Sequence, residues 1–186
     1  MIIVAGGDSF VWGSELQDSP HGGHNGYSKN TFPALLATDG YICAAYPGFS
    51  NEEIATSVRN VLSTCTGIPF VIVCWTWPGR DKLYTSSRVI LEFQQYCEYH
   101  RMPYMFTCAD NCLLEWLSDK TDWDKWFLFP PAEADWETTS PRGFYQWAVE
   151  NKYLVGPESH PLEQAHLDAS KLMQEKFNEL VTKHIQ

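Results

Sequence analysis

The chain has 186 residues, 44% of them apolar, and a formal charge of −10. That is enough for one domain with a packed core and too acidic to track a nucleic-acid backbone or an anionic membrane surface. No apolar run approaches the roughly 20 residues of a membrane-spanning helix. Eight Trp, nine Tyr and ten Phe exceed what a core of this size needs, so some rings are expected to line a cleft.

The first element is an apolar strand at 2–5. Met1 feeds directly into it, with no charged leader and no cleavage site. It runs straight into Gly6-Gly7-Asp8-Ser9, followed by Phe10, Val11, Trp12 and Gly13. A short helix is expected at 31–38, stopped by Asp39-Gly40, and a second strand at 41–46. The segment 51–65 puts Ile54, Val58, Val61 and Leu62 on one helical face, with Ser50 as N-cap and Glu53 in the capping-box position. A third apolar strand is expected at 69–75 and a helix at 86–99 carrying Val89, Ile90, Phe93, Tyr96 and Cys97. A fourth strand follows at 103–108, and the longest helix at 162–185. Continuously apolar strands alternating with amphipathic helices predict a parallel sheet covered on both faces.

The stretch 119–157 breaks this rhythm. It holds Trp123, Trp126, Trp136 and Trp147, interrupted by Pro130-Pro131 and Pro141. An elaborated connection is expected there, an aromatic-rich insertion or lid, with short helices near 111–117 and 142–151. Five of the six cysteines fall in apolar segments, which predicts reduced, mostly buried thiols and a cytoplasmic protein. Cys108 and Cys112 alone make no zinc motif, and nothing calls for a cofactor.

In a parallel sheet a site lies beyond the carboxyl ends of the strands. Here those ends deliver Gly6-Gly7-Asp8-Ser9, then Pro47-Gly48-Phe49-Ser50-Asn51, then Trp75-Thr76-Trp77-Pro78-Gly79-Arg80. A serine nucleophile needs a base, usually histidine. His160, held by Pro161 ahead of the last helix, is the best placed of six. His166 falls on the apolar side of that helix and is expected to pack. His21 and His24 read as a solvated loop rather than a metal pair. A phosphate loop is disfavoured, because Gly6-Gly7-Asp8-Ser9 lacks a Lys-Ser/Thr pair and its acid repels phosphate.

"GDSF" after the first strand, "PGFSNEEI" after the second and "SHPLEQAH" before the last helix resemble the motif blocks of the SGNH (GDSL-type) hydrolases, along nearly the whole chain. The resemblance is to divergent members, including those common in viral genomes. It implies a three-layer α/β/α, flavodoxin-like fold with a parallel sheet of four to five strands. It also implies Ser9 as nucleophile and oxyanion donor, His160 as general base and Asp8 as support for the nucleophile turn.

Two blocks depart from the family pattern. Its third block, Gly-x-Asn-Asp, is replaced by "WTWPGR", so Thr76 or Arg80 would substitute for the Asn. Gly48 keeps the second-block glycine, while Asn51 stands where a further glycine is common and offers a side-chain donor. The family's Asp three residues before the His is Pro157 here, which leaves Glu158 as the nearest third member of a triad, or a Ser-His dyad.

These features lead to an expected ester or acyl hydrolase of the esterase or acetylesterase kind, acting on a small-molecule ester. Trp12, Trp75, Trp77 and Arg80 are the candidate substrate contacts, and Arg80 could clamp a carboxylate or phosphate. The alternative is a catalytically degenerate SGNH-like protein that binds a small anionic ligand, a nucleotide or sugar derivative, in an aromatic cleft.

Overall fold

In a computed structural model, which describes residues 1–19, 26–81, 85–132 and 140–185, four strands form one parallel sheet in the order β2-β1-β3-β4. They are β1 (Ile2–Gly6), β2 (Gly40–Cys43), β3 (Phe70–Trp75) and β4 (Tyr104–Cys108). The helices are α1 (Ser9–Trp12), α2 (Phe32–Leu35), α3 (Asn51–Leu62), α4 (Thr85–Tyr99), α5 (Phe144–Glu150) and α6 (Glu163–Ile185). All four expected strands are present, and the order places the end of β1 between those of β2 and β3. His21, His24 and Trp136 lie outside the described residues.

Strand alternation divides the interior into two cores. Ile3, Ala5, Phe70, Ile72, Cys74 and Met105 face α2, α5 and α6, where they pack with Phe32, Phe144, Trp147, Met173 and Phe177. Val4, Val71, Val73, Trp75, Tyr104, Phe106 and Cys108 face α3 and α4, against Ile54, Val58, Ile90 and Phe93. Because both faces are buried, no polar residue interrupts β3, and all six of its residues are buried.

Local chemistry accounts for the boundaries. Ser50 accepts from the Glu53 N–H while the Glu53 carboxylate accepts from the Ser50 N–H, a complete capping box at the start of α3. Gly6 and Gly7 are required by close approach: a Cβ at Gly6 would lie 2.3 Å from the Val58 side chain, and one at Gly7 2.4 Å from that of Val11. The six cysteines are free thiols, and burial pushes Cys43 up to about 11. No helix is long and apolar enough to cross a membrane among the described residues.

The described part of 119–157 is packed against the body of the protein. Phe127 donates its N–H to Phe106 O at the open edge of β4, and Phe129 and Arg142 exchange backbone hydrogen bonds. Trp126, Phe129, Phe144 and Trp147 are buried, whereas Trp123 is about half exposed at 47%.

His166 is part of the core, as its position on α6 predicts. It stacks on Phe32, accepts that residue's N–H at 3.2 Å, and its ring also bonds the Pro161 backbone. Burial pushes its pKa down to about 3, with the bond to Pro161 opposing and nearby His160 adding to the depression. A histidine whose folded pKa lies below its unfolded value stabilises fully above the unfolded value of about 6.5, and that stability is lost as pH falls toward 3. Acidification below pH 6.5 is therefore expected to cost about 1.4 kcal/mol per pH unit from this group. Urea melts at a series of pH values would show it, and His166→Asn, which keeps an acceptor for Phe32, should flatten that slope.

Candidate active site

The turn after β1 is built around a buried carboxylate. Asp8 is fully buried and caps α1: its Oδ1 accepts the Phe10 N–H at 3.0 Å. Its Oδ2 accepts the Thr76 hydroxyl at 2.6 Å and an Arg80 Nη1–H at 3.0 Å. Three donors on one carboxylate hold the strand-to-helix turn rigidly and tie the end of β1 to the end of β3. Ser9 is the first residue of α1 and 7% exposed. Its hydroxyl makes no hydrogen bond among the described residues and is not sealed from solvent. No acceptor meets the Ser9 or Gly48 N–H there either.

α1 ends after one turn. Gly13, at φ +81°, caps it with an N–H donated to Ser9 O, and a Cβ there would strike Ser28 and Thr31. The chain doubles back through Glu15, itself left-handed at φ +68°. The Glu15 carboxylate meets the segment 155–161, a turn closed by bonds from Gly156 N–H to His160 O and from Ser159 N–H to Gly156 O. Ser159 is left-handed at φ +67°. Two of the left-handed non-glycine residues, Glu15 and Ser159, thus flank the same contact.

That contact joins His160 Nδ1 to Glu15 Oε2 at 2.7 Å. The Glu158 N–H lies 3.1 Å from both Glu15 oxygens, and the His160 N–H lies 3.3 Å from Oε2. Gly156 presses against the same carboxylate, and a Cβ there would lie 2.5 Å from Glu15 Cδ. Burial pushes the Glu15 pKa up, but the N–H groups of Glu158 and His160 and the imidazole together outweigh it and hold the group below its ordinary value. In the neutral imidazole, a carboxylate accepting at Nδ1 selects the tautomer with its proton on that nitrogen, which leaves Nε2 as an acceptor with no partner among the described residues. The imidazole packs edge-on against Phe10, the residue after Ser9, with centroids 5.5 Å apart.

The remaining sequence candidates divide. Glu158 stands beside the histidine, but it contributes a backbone N–H to the acid rather than the acid itself. The carboxylate on His160 comes from Glu15, 145 residues away in the chain. Asn51 and Thr76 do not offer donors to a cleft. The Asn51 amide donates to Thr76 O and Ser86 Oγ and accepts the Thr76 N–H, both residues are fully buried, and the Thr76 hydroxyl is spent on Asp8. Trp75 turns away into the α3/α4 core against Phe93 and Phe106. β3 ends at Trp75, and where the chain leaves the strand for the turn Pro78–Arg80, Trp77 comes to lie 5.6 Å from Phe10, with the Arg80 guanidinium over its ring at 5.1 Å. Trp12 packs edge-on against Tyr27 and Tyr46. Gly48 occupies the turn after β2 at φ +83° with open space where a Cβ would stand, so backbone conformation rather than crowding selects glycine there. No cluster of three metal-ligating side chains occurs among the described residues.

No family model matches the sequence, and no curated protein matches it. Solved structures do match by shape. The chain is similar to a psychrotrophic esterase, EstA from Pseudoalteromonas sp., in a structure inhibited by monoethylphosphonate, with TM-score 0.65 and 12% identity over 97% of this chain and 98% of that one. It is also similar to a carbohydrate esterase family 2 enzyme with its carbohydrate-binding domain from Corynascus thermopiles (Myceliophthora fergusii), with TM-score 0.59 and 15% identity over 97% of this chain and 66% of that one. The chain thus shares the α/β fold of these two esterases.

Proposed function

We propose that the protein is a serine-dependent ester or acyl hydrolase with Ser9 as nucleophile, His160 as general base and Glu15 as the carboxylate that orients it. The observation that carries this reading is the Glu15–His160 contact of 2.7 Å, formed by a carboxylate that also receives two backbone N–H groups. A carboxylate held by two backbone N–H groups and bonded to Nδ1 suits a base that must keep one tautomer while it accepts a proton.

In this reaction Ser9 Oγ attacks the ester carbonyl and its proton passes to His160 Nε2. The imidazolium is stabilised by Glu15 and returns the proton to the departing alcohol. Water then repeats the sequence in reverse to release the acid and restore the serine. The N–H groups of Ser9 and Gly48 are the backbone donors for the tetrahedral oxyanion. Phe10, Trp77 and Tyr145, whose ring stacks on Phe10 at 6.2 Å, form an aromatic cluster beside the nucleophile.

Intact-mass spectrometry after treatment with a fluorophosphonate tests the assignment. One adduct is expected on the wild type and none on Ser9→Ala or His160→Ala. An unmodified wild type, or an adduct that survives Ser9→Ala, overturns it.

A further inference from the structure

We infer that the Arg80 guanidinium supplies a charged donor to the oxyanion, doing at the end of β3 what an amide side chain would otherwise do. This rests on the hydrolase reading above. Its geometric basis is one nitrogen: Arg80 Nη1 lies 3.0 Å from Asp8 Oδ2 and 3.1 Å from Phe49 O. Asp8 immediately precedes Ser9, and Phe49 immediately follows Gly48. The guanidinium therefore bridges the two turns that carry the backbone oxyanion donors.

Of the polar side chains that Asn51, Thr76 and Arg80 bring to the end of β3, Arg80 is the donor with capacity to spare. The Asn51 amide, the Thr76 hydroxyl and the Thr76 N–H are all satisfied inside the protein. Arg80 has five N–H groups. Nη1 serves Asp8 and Phe49, and no other Arg80 N–H meets an acceptor among the described residues. The side chain is 31% exposed although its partner Asp8 is at 0%, so its free edge opens toward solvent while its inner edge is anchored. The Trp77 face beneath it fixes the plane of the fork. Asp8 keeps the guanidinium in place before substrate arrives, so little reorganisation is needed when the carbonyl oxygen becomes charged.

The test compares Arg80→Ala and Arg80→Lys with wild type and Ser9→Ala on a neutral acyl ester, with kcat and KM resolved and folding followed by thermal melting. Arg80→Ala is expected to lose about 10²–10³-fold in kcat with KM little changed, and millimolar guanidinium ion is expected to restore part of that loss. Arg80→Lys keeps a cation for Asp8 and so decides the matter should the alanine variant fail to fold. It should melt close to wild type yet lose at least about tenfold in kcat, because a point charge cannot serve Asp8, Phe49 O and the oxyanion together. A folded variant with kcat within about threefold of wild type overturns the inference. So does a loss that appears in KM alone, or a folded alanine variant that guanidinium does not rescue. In all these cases an inactive Ser9→Ala leaves the hydrolase reading standing, whereas an active one removes that reading itself.

Discussion

Glu15→Gln is expected to lower kcat by about 10³–10⁴-fold while leaving KM near the wild-type value, the scale seen when the orienting acid of a serine hydrolase becomes an amide. Glutamine keeps an oxygen for the Glu158 N–H, so the turn at 155–161 should survive. It cannot offset the imidazolium that the proposed attack by Ser9 would form. Its Nε2 can also donate to His160 Nδ1, which favours the tautomer whose protonated Nε2 is useless as a base. Because Glu15 titrates below the ordinary carboxylate range, the wild-type acid stays ionised at any pH above that range. Its protonation is thus expected to limit activity only at lower pH than an ordinary glutamate would. Steady-state kinetics on an acyl ester would check this. Retention of more than about a tenth of wild-type kcat in Glu15→Gln would remove the residue from the triad.

Asp8→Asn is the second large effect, and it is chiefly one of stability. The substitution is isosteric, but its amide has one acceptor where the fold presents three donors: the Phe10 N–H on one side, the Thr76 hydroxyl and Arg80 on the other. Whichever way the amide turns, an NH₂ group faces a buried donor and an Arg80 charge loses its partner. A loss of about 3 kcal/mol is expected from unsatisfied groups of this kind. For a chain of this size that lowers Tm by about 6–12 °C. Differential scanning calorimetry measures it directly. A drop of less than about 1 °C would mean that the turn does not depend on the charge.

The two substitutions differ in how far their logic was visible in the chain. Asp8 stands between two glycines and Ser9, where a short acidic side chain is a recognisable cap for the helix that follows. Glu15 carries no such mark. It lies six residues after Ser9 in a stretch with neither helical nor strand periodicity, and the motif resemblance directs attention to the residues just before His160 instead. The usable signal was Gly13: a helix stopped after one turn must reverse, which returns the next acid toward the sheet edge. Asn51 and Thr76 point inward rather than into a cleft for a related reason. Both lie at strand ends where a donor is wanted, and a side chain at the right edge can still point inward. The fold pairs them with each other, Asn51 also with Ser86 and Thr76 also with Asp8, because a buried polar group left unpaired is costly.

The sequence by itself determined the four strands, the flanking helices, the capping box of Ser50 and Glu53, the glycine pair after β1 and the buried role of His166. Each depends on neighbours a few residues away or on a repeating apolar face, and those are written along the chain. Only the tertiary structure decided that Glu15 meets His160, that Trp75 turns inward while Trp77 faces the site, and that Arg80 bridges the turns beside Ser9 and Gly48. These depend on which polar groups a packed sheet edge brings within hydrogen-bond reach. Burial then commits each group to the partner it finds there, whatever the separation in sequence.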